Sequence, residues 1–362
     1  MQVHTKPKVL GAFLACAVLF SLLTVFFQTS QLGIAYIQGS QLTRHRAVLE
    51  DRSNDPWQYR VLSEYVVEGW LQALTTLRVP TPVVAAFVSF RVLQNTLLFL
   101  LAALYYRKLG LDVYSVLIGL TLLAWGMTHA LYDSDLSFNT YSDIIFYLLA
   151  GLAILEQKYA WIIPITALAA LNRETSGLIP LMLIAVQVYG DKETRRQGDK
   201  GTGGTEEAAL KGTWLKRTWL QRSQLRQTWR KPGSGVGIAT LALMAFVATL
   251  VLVRQAYGPR PLFLPYDRRP GLEILWYNLS RYETWLQLFA TLGILPVLAI
   301  AAYRWWPATL QAFFWAIVPL WFLIHALASV MAESRLFLAP QALIFVPGAL
   351  WGVMRVRAYR TP

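Results

Sequence analysis

The chain has 362 residues, of which 56% are hydrophobic and 15% are charged, and its net charge is +13. Apolar runs of about membrane-spanning length recur from one end to the other, which excludes a water-soluble globular protein and indicates a polytopic membrane protein. The single cysteine, Cys16, excludes an internal disulfide and a CxxC metal site.

Ten apolar runs are predicted to cross the membrane as helices, so the expected fold is all-α. The first run follows Lys6 and Lys8 and is too long for the hydrophobic core of a typical signal peptide, so it is interpreted as an uncleaved span. Ten spans place both termini on the same side of the membrane. The predicted spans are 9–27, 82–104, 111–131, 141–155, 160–171, 176–189, 236–253, 285–302, 309–331 and 336–353.

The charge distribution orients these spans. The whole net charge of +13 falls on the side that carries both termini, and the opposite side is balanced. Because cytoplasmic loops carry the excess of Lys and Arg, both termini are predicted to be cytoplasmic, in a plasma or inner membrane. A basic total on a membrane protein needs no polyanionic partner, so membrane lipids are expected as partners and nucleic acid is not.

Three regions follow from this arrangement. Residues 1–189 are predicted to form a transmembrane module with outward loops, residues 190–235 a basic cytoplasmic linker, and residues 236–362 a group of C-terminal transmembrane helices. The Gly-rich first half of the linker is typical of a flexible segment, and its Trp- and Arg-bearing second half is typical of a surface helix at an anionic leaflet. A partner-docking role is the alternative.

The first outward loop, 28–81, is predicted to contain an interfacial helix. Its second half places apolar residues at helical spacing on one face, which suits a helix lying in the plane of the membrane surface. Just before this helix, the segment "EDRSNDPWQYR" brings Asp55, Trp57, Tyr59 and Arg60 within six residues. Asp55 precedes a proline and is interpreted either as a turn residue or as a functional carboxylate.

Two further outward segments carry charge. Asp133 and Asp135 form an Asp-x-Asp pair between two spans, and such a pair suits a Mg²⁺ or Mn²⁺ ion that also binds water and phosphate; a solvated loop is the alternative. Asp143 is either a further ligand or an acid favoured at a helix start. Glu333 and Arg335 are interpreted as an interfacial ion pair, or as an Arg aimed at a phosphate and oriented by the Glu.

The segment "LAALNRETSGLIPL" interrupts an apolar stretch with Asn172, Arg173, Glu174 and Thr175. Ionisable side chains at membrane depth are costly and usually functional. Because each apolar flank is too short to cross a core of about 30 Å, the pair is predicted to form a short hairpin whose tip projects into an outward cavity. A helix starting at Thr175 would present free N–H groups beside Arg173 as an anion site. The alternative is an Arg173–Glu174 ion pair that anchors the turn.

Two other features receive a simpler interpretation. His129 and His325 are interpreted as packing or interface residues rather than as bases. The sequence "NLS" at 278–280 is an N-glycosylation sequon on the face predicted to point outward.

Taken in this order, the acidic first loop with its helix, the Asp-x-Asp pair and the broken short helix pair resemble one family. This is the GT-C superfamily of integral-membrane glycosyltransferases, which use polyprenyl-phosphate or polyprenyl-diphosphate sugar donors. The break "LAALNRETSGLIPL" is similar to that of protein O-mannosyltransferases and lipid A aminoarabinose transferases, and the acidic loop with "DSD" is similar to oligosaccharyltransferase catalytic subunits. The resemblance covers about residues 1–190.

The resemblance implies a sugar transfer from a polyprenyl-phosphate donor to a hydroxyl group of an acceptor, which is a glycan, a lipid or a protein. The general base would be Asp55 or alternatively Asp51. The donor phosphate would be held by Arg173, Arg335 and Arg60, which Asn172, Glu174 and Glu333 would support. The sugar would stack on Trp57 and Tyr59. The divalent ion would be bound by Asp133 and Asp135.

The main alternative is a membrane transporter or lipid flippase, in which midplane charges and a broken helix pair line a translocation path. That class would predict internal symmetry, but neither the NRET segment nor "DPWQYR" recurs in the chain. A third interpretation is a non-catalytic scaffold protein whose polar residues form structural ion pairs.

Overall fold

The computed structural model describes residues 7–132, 134, 136–198 and 232–360, and it consists of helices joined by turns. Within these residues the extended pairing is confined to one isolated bridge between Asp55 and Leu262, and no strand is present. The predicted all-α fold is therefore confirmed for the described part of the chain.

Each of the ten predicted apolar runs coincides with one or two of the observed helices. The α-helices longer than three residues in the described chain are α1 (Pro7–Leu32), α2 (Leu42–Leu49), α3 (Val61–Thr76), α4 (Pro82–Lys108), α5 (Val113–His129), α6 (Asn139–Leu155), α7 (Ile162–Ala170), α8 (Ile179–Gly198), α9 (Pro232–Tyr257), α10 (Leu272–Ser280), α11 (Tyr282–Leu292), α12 (Leu295–Ala301), α13 (Ala308–Ala328) and α14 (Val346–Arg360). Short 3-10 turns at Trp57–Tyr59, Glu174–Leu178 and Ser334–Phe337 and a π-helical turn at Gln341–Phe345 matter for the site and the core.

Five segments of the described chain are long and apolar enough to cross a membrane, which indicates an integral membrane protein. They are Pro7–Leu32, Pro82–Lys108, Gly235–Tyr257, Ala308–Ala328 and Ser334–Arg357. A bent pair, α11 with α12, would make a sixth span. The other predicted spans are apolar helices of at most 17 residues, and these reach only about 25 Å against a hydrocarbon core of about 30 Å. The predicted count of ten spans is not confirmed.

The bend between α11 and α12 has a local cause. The two helices are inclined by 67°. The connecting Gly293 has a φ of +56°, a conformation that a side chain disfavours, and α12 then starts with a proline in its first turn. A glycine that ends one helix and a proline that starts the next therefore divide the predicted run 285–302.

The segment Ser334–Arg357 forms the centre of the molecule, because 89% of its most apolar stretch of 18 residues is buried. Its π-helical turn departs from the regular α-helical hydrogen-bond pattern. The hydroxyl groups of Tyr105 and Tyr106 on α4 donate to the carbonyls of Leu343 and Ala342 in that turn, at 3.0 and 2.9 Å. Two buried tyrosines thus satisfy carbonyl groups of the central helix and hold α4 against it.

The other helices pack against one another and against the central segment. α1 packs on α4, α4 on α6, α9 on both α7 and α8, α13 on α8, and α12 on α14. Outward-facing side chains of the first helix are large and apolar, for example Leu23 and Phe26. Such exposed apolar faces suit contact with lipid rather than water.

Contacts group the turns at two ends of the helices. At one end, Glu156 accepts from Lys108 and Lys158 at 2.9 and 2.8 Å, and these hydrogen bonds hold the pKa of Glu156 below its usual range. At the other end, the first loop contacts the segment 257–263, the Ser134 carbonyl and the break in the NRET segment. The compartment that each end faces stays a prediction.

The interfacial helix was predicted in the first loop, and α3 occupies that position. Its buried residues include Ser63, Glu64 and Val67, whereas Val66 and Leu77 are exposed. The protein-facing side of α3 carries Val67 as well as Ser63 and Glu64. Its exposed side carries Tyr65, Val66 and Trp70, large side chains that suit a membrane surface.

Candidate functional site

The helix break predicted at the NRET segment is present. α7 ends at Ala170, Arg173 has extended backbone, and a 3-10 turn from Glu174 to Leu178 precedes α8. The prediction of an α-helix starting at Thr175 is wrong, because α8 begins only at Ile179. The N–H group and the hydroxyl of Ser176 both donate to the Arg173 carbonyl, at 3.2 and 2.7 Å, and so close the tight turn.

The two ionic residues of the break have partners on other elements. An Nη1 atom of Arg173 lies 3.7 Å from Oδ2 of Asp143 on α6, and the Thr175 hydroxyl donates to the same oxygen at 3.3 Å. Glu174 accepts from Arg60, at 2.8 Å from Nη2 and 3.2 Å from Nε. Each charge of the break is therefore paired across the fold, so the structure supports neither an isolated Arg173 nor the alternative Arg173–Glu174 anchor.

Asn172 fixes the break between α3 and α6. Its Oδ1 accepts from the Ser63 hydroxyl and its Nδ2 donates to the Asn139 carbonyl, both at 2.8 Å. The Leu62 N–H group donates to the Leu171 carbonyl at 3.1 Å. The predicted outward tip is thus mostly buried in protein, and Glu174, whose side chain is one-third exposed, is its most open residue.

Arg60 lies at the rim of this region, immediately after the 3-10 turn that contains Trp57. Its guanidinium carbon is 5.0 Å from the centre of the Trp57 ring, and Arg44 approaches the same ring at 5.5 Å. Trp57 therefore supports two cations. The Arg60 side chain is 13% exposed, which leaves its charge close to solvent.

Arg335 reaches the break through hydrogen-bonded side chains. It donates to Glu333 at 2.7 Å and to the Ser137 hydroxyl at 2.9 Å. Ser137 in turn donates to the side chain of Asn139 at 2.7 Å, and the Asn139 carbonyl accepts from Asn172. A continuous polar chain therefore joins the 3-10 turn Ser334–Phe337 to the NRET segment.

The three arginines assigned to a phosphate lie in one region. Arg60 pairs with Glu174, the residue after Arg173, and Arg173 itself pairs with Asp143. Arg335 is joined to Asn172, the residue before Arg173, through Ser137 and Asn139. Residues from four separate parts of the sequence thus form one cluster of alternating charges in a largely buried setting, where electrostatic interactions are stronger than in water.

Asp55 and Asp51 lie where the first loop meets the segment after α9. The Asp55 N–H group donates to the Pro261 carbonyl at 3.0 Å, its carbonyl accepts from the Phe263 N–H group at 2.8 Å, and its carboxylate lies 3.3 Å from Arg254. Asp51 forms an ion pair with Arg260. Both candidate bases therefore have cationic neighbours from the C-terminal half of the chain.

Tyr59 is part of the same junction. Its hydroxyl donates to the Gly258 carbonyl at 2.8 Å, and Arg254 lies 4.6 Å from its ring centre. The ring is buried. One arginine therefore lies against the Tyr59 ring and two lie against the Trp57 ring. A sugar that stacks on either ring, as predicted, would have to share that ring with these cations.

The predicted metal pair, Asp133 and Asp135, lies outside the described residues. Within the described part of the chain, no three His, Cys, Asp or Glu side chains come close enough to hold a metal ion. Glu333 is paired with Arg335. A divalent ion therefore stays a prediction that depends on Asp133 and Asp135.

Two important groups were not predicted as such. Asp143 pairs with Arg173, whereas the sequence suggested a metal ligand or a helix-start acid. The position of Asp143 near the start of α6 does not indicate that Arg173 is its partner. His45 on α2 lies 2.6 Å from Glu64 and 3.0 Å from Glu68. Burial alone would lower the pKa of His45, but the hydrogen bonds and charges of the two carboxylates raise it above its ordinary value.

Comparison with protein-family models, with curated proteins and with solved structures gave no match for this chain. The chemistry of the site therefore has to be argued from its own residues. Clustered guanidinium groups suit a phosphate, because each presents a rigid fork of N–H donors, and the adjoining carboxylates can orient those forks.

Proposed function

We propose that this protein is a membrane glycosyltransferase that moves a sugar from a polyprenyl-phosphate donor to an acceptor hydroxyl group at the outer face of the membrane. The observation that carries the proposal is the cluster of Arg60, Arg173 and Arg335 beside carboxylates in a membrane protein. A lipid-linked phosphate needs cations at membrane depth. Each of these arginines pairs with a carboxylate, and in the proposal the carboxylates orient the guanidinium groups toward the phosphate.

The proposed donor has a long apolar chain, and an apolar groove lies next to the helix that starts beside Arg60. The groove has a volume of about 670 Å³ and lies between α3 and α4. Its lining is Trp70, Thr81, Val84, Ala85, Val88, Ser89, Val92 and Leu93. A hydrocarbon chain in this groove would lie against α4 and Trp70 of α3, and none of the three arginines lines the groove; that the donor phosphate reaches the arginines from here is part of the proposal.

In the proposed reaction, the acceptor oxygen attacks the anomeric carbon of the donor sugar while the bond from that carbon to the phosphate oxygen breaks. The acceptor proton moves to a carboxylate, for which Asp55 is proposed and Asp51 is the alternative. The bonding electrons leave with the phosphate, whose added negative charge the three arginines stabilise. A divalent ion held by Asp133 and Asp135 would supply further positive charge to the leaving phosphate.

The test is a product analysis of cell-envelope glycans with and without the protein, followed by two variants. We expect Asp55→Asn to lower transfer by about 10²- to 10⁴-fold, as for loss of a general base, and Arg60→Gln to weaken donor use. Arg281→Gln is the matched control, because Arg281 also pairs with an acid, Glu283, at 3.2 Å. Unchanged product in both folded variants would rule out the glycosyltransferase.

A further inference from the structure

Residues 262–279, the surface stretch, lie beside the ends of two helices that are long enough to cross the membrane. α9 ends at Tyr257, and the chain enters the surface stretch a few residues later. α13 ends at Ala328, and the Gly271 N–H group donates to the Leu327 carbonyl at 2.6 Å. The surface stretch is therefore fixed where both helices end.

The lengths of these two helices place their ends at a membrane surface. Their apolar spans have 23 and 21 residues, which correspond to about 35 and 32 Å. The hydrocarbon core is about 30 Å thick, so a helix of this length that crosses it ends close to the lipid headgroups. Protein buries only 17% of the most apolar part of the α9 span. A lipid-facing helix surface therefore leads directly to the surface stretch.

The first half of the surface stretch exposes apolar side chains. Leu262, Phe263 and Leu264 follow one another, and all three are exposed. A contiguous exposed apolar patch is uncommon on a surface that faces only water, and it marks a site of contact with a partner or a membrane.

The second half of the surface stretch contains α10, which exposes one apolar face. Leu272, Trp276 and Leu279 are separated by four and three residues and so lie on the same side of the helix. Leu272 is 80% exposed and Trp276 is 72% exposed. Ile274 and Asn278 on the opposite side are buried, and Asn278 donates to two carbonyls at the end of α13, at 3.1 and 2.8 Å. With nine residues, or about 14 Å, α10 is too short to cross the membrane.

Aromatic contacts hold the two halves together. The Tyr266 ring stacks on the Tyr277 ring of α10 at 5.2 Å between centres. The guanidinium carbon of Arg281 lies 5.7 Å from the centre of the Tyr266 ring and 4.9 Å from that of the Tyr277 ring. The exposed apolar side chains of both halves are therefore held in the same part of the surface.

The charges of the surface stretch balance. Arg268 and Arg269 are matched in number by Asp267 and Glu273. Attraction to anionic lipids therefore does not carry the binding of this stretch to a membrane, and the apolar side chains have to supply it.

We propose that the surface stretch is a membrane-surface anchor, whose apolar side chains insert into the lipid leaflet at the ends of α9 and α13. The occupant of the patch is phospholipid rather than protein, because the patch continues from the lipid-facing surface of α9. Trp276 suits this depth, since tryptophan is enriched where hydrocarbon meets water. The Asp55 backbone bonds to Pro261 and Phe263, so the anchor holds the first loop at the membrane surface.

The anchor does not depend on sugar transfer, and it is tested by spin labels on the full chain in phosphatidylcholine vesicles. Cys16→Ser removes the single native thiol, and a nitroxide is attached after Phe263→Cys or Trp276→Cys. Matched labels are placed by Phe26→Cys, at a 74% exposed position of the span α1, and by Arg52→Cys, at a 69% exposed charged side chain of the first loop. Collisions with oxygen report lipid, and collisions with a water-soluble nickel complex report water.

We expect the labels at positions 263 and 276 to collide more with oxygen than with nickel, at about 5–10 Å below the headgroups. The label at position 52 should show the reverse, and the label at position 26 should lie deeper. Adding phosphatidylglycerol to the vesicles should leave the depth unchanged, because the stretch has no net charge.

The other results overturn the anchor. Nickel collisions at position 263 or 276 equal to those at position 52 would place that part of the stretch in water. Protection of either label from both reagents would show that protein covers the patch, and spin–spin broadening would identify that protein as a second copy of the chain. If Phe263→Cys or Trp276→Cys does not fold, Leu264→Cys and Leu272→Cys replace them under the same criteria.

Discussion

Replacing Arg173 by methionine tests the electrostatic design of the cluster. Arg173 is buried, and its partner Asp143 is buried as well. Of the two Asp143 oxygens, Oδ1 has no hydrogen-bond partner among the described residues, so the carboxylate depends on Oδ2 and the guanidinium. Removing one partner of a buried pair costs about 3–5 kcal/mol, because the other charge stays uncompensated. We expect this loss for Arg173→Met.

The double variant distinguishes a buried pair from general damage. Adding Asp143→Asn to Arg173→Met removes the stranded charge, so the double variant should be more stable than the sum of the two single losses predicts. The coupling between contacting residues is expected to be about 1–3 kcal/mol. The assay is equilibrium unfolding in detergent micelles for the four members of the cycle.

The half-exposed pair of Lys108 and Glu156 is the control, because its side chains are 34% and 29% exposed at a shorter distance of 2.9 Å. Coupling there should be at most about 1 kcal/mol. Equal coupling in the two cycles, or strictly additive losses for Arg173 and Asp143, would refute the argument that burial makes the pair near the break stronger.

Three further outcomes are expected. Because Glu64 and Glu68 raise the pKa of His45, the interaction of the charged imidazole with them stabilises the fold below pH 6.5 and is lost as the pH rises through the raised pKa. His45→Gln should therefore lower the free energy of unfolding more at about pH 6 than at about pH 9. A difference in the free energy of unfolding that does not change with pH would contradict this. Gly348→Ala should cost about 1–3 kcal/mol in unfolding experiments, since its Cβ would lie 2.4 Å from the Trp306 ring, whereas Gly11→Ala, which meets no atom within 4 Å, should be neutral. Asn278 is buried and bonds to three backbone groups, so mass spectrometry after expression in a glycosylating host should find no glycan there; a modified Asn278 in folded protein would contradict its observed contacts.

The helices were predictable because a segment inside lipid must satisfy its own backbone hydrogen bonds, which favours a helix, and because its side chains must be apolar over the thickness of the membrane. The break at Arg173 was predictable for the same reason, since four polar residues interrupt an apolar run. The geometry inside the break was not predictable. The segment after Arg173 forms a 3-10 turn rather than an α-helix, and in it the N–H group and the hydroxyl of Ser176 both donate to the Arg173 carbonyl.

The partners of the charges could not be derived from the sequence. Arg173 and Glu174 are adjacent, so a local pair was a reasonable alternative, but the packing of α6 and α3 brings Asp143 and Arg60 to them instead. Arg254 lies 199 residues after Asp55, and only the docking of the first loop on the segment after α9 brings the two together. Contacts between distant segments carry no periodic signal in the sequence.

The burial of the segment Ser334–Arg357 has a consequence for biosynthesis. This segment is translated after α1 to α13, yet it supplies the centre against which several of them pack. Until it inserts, the hydroxyl groups of Tyr105 and Tyr106 lack their carbonyl acceptors, and Arg335 is not available to the cluster. The ribosome must therefore translate the segment Ser334–Arg357 before the helices that precede it can adopt their final packing, and until then their buried polar groups lack these partners.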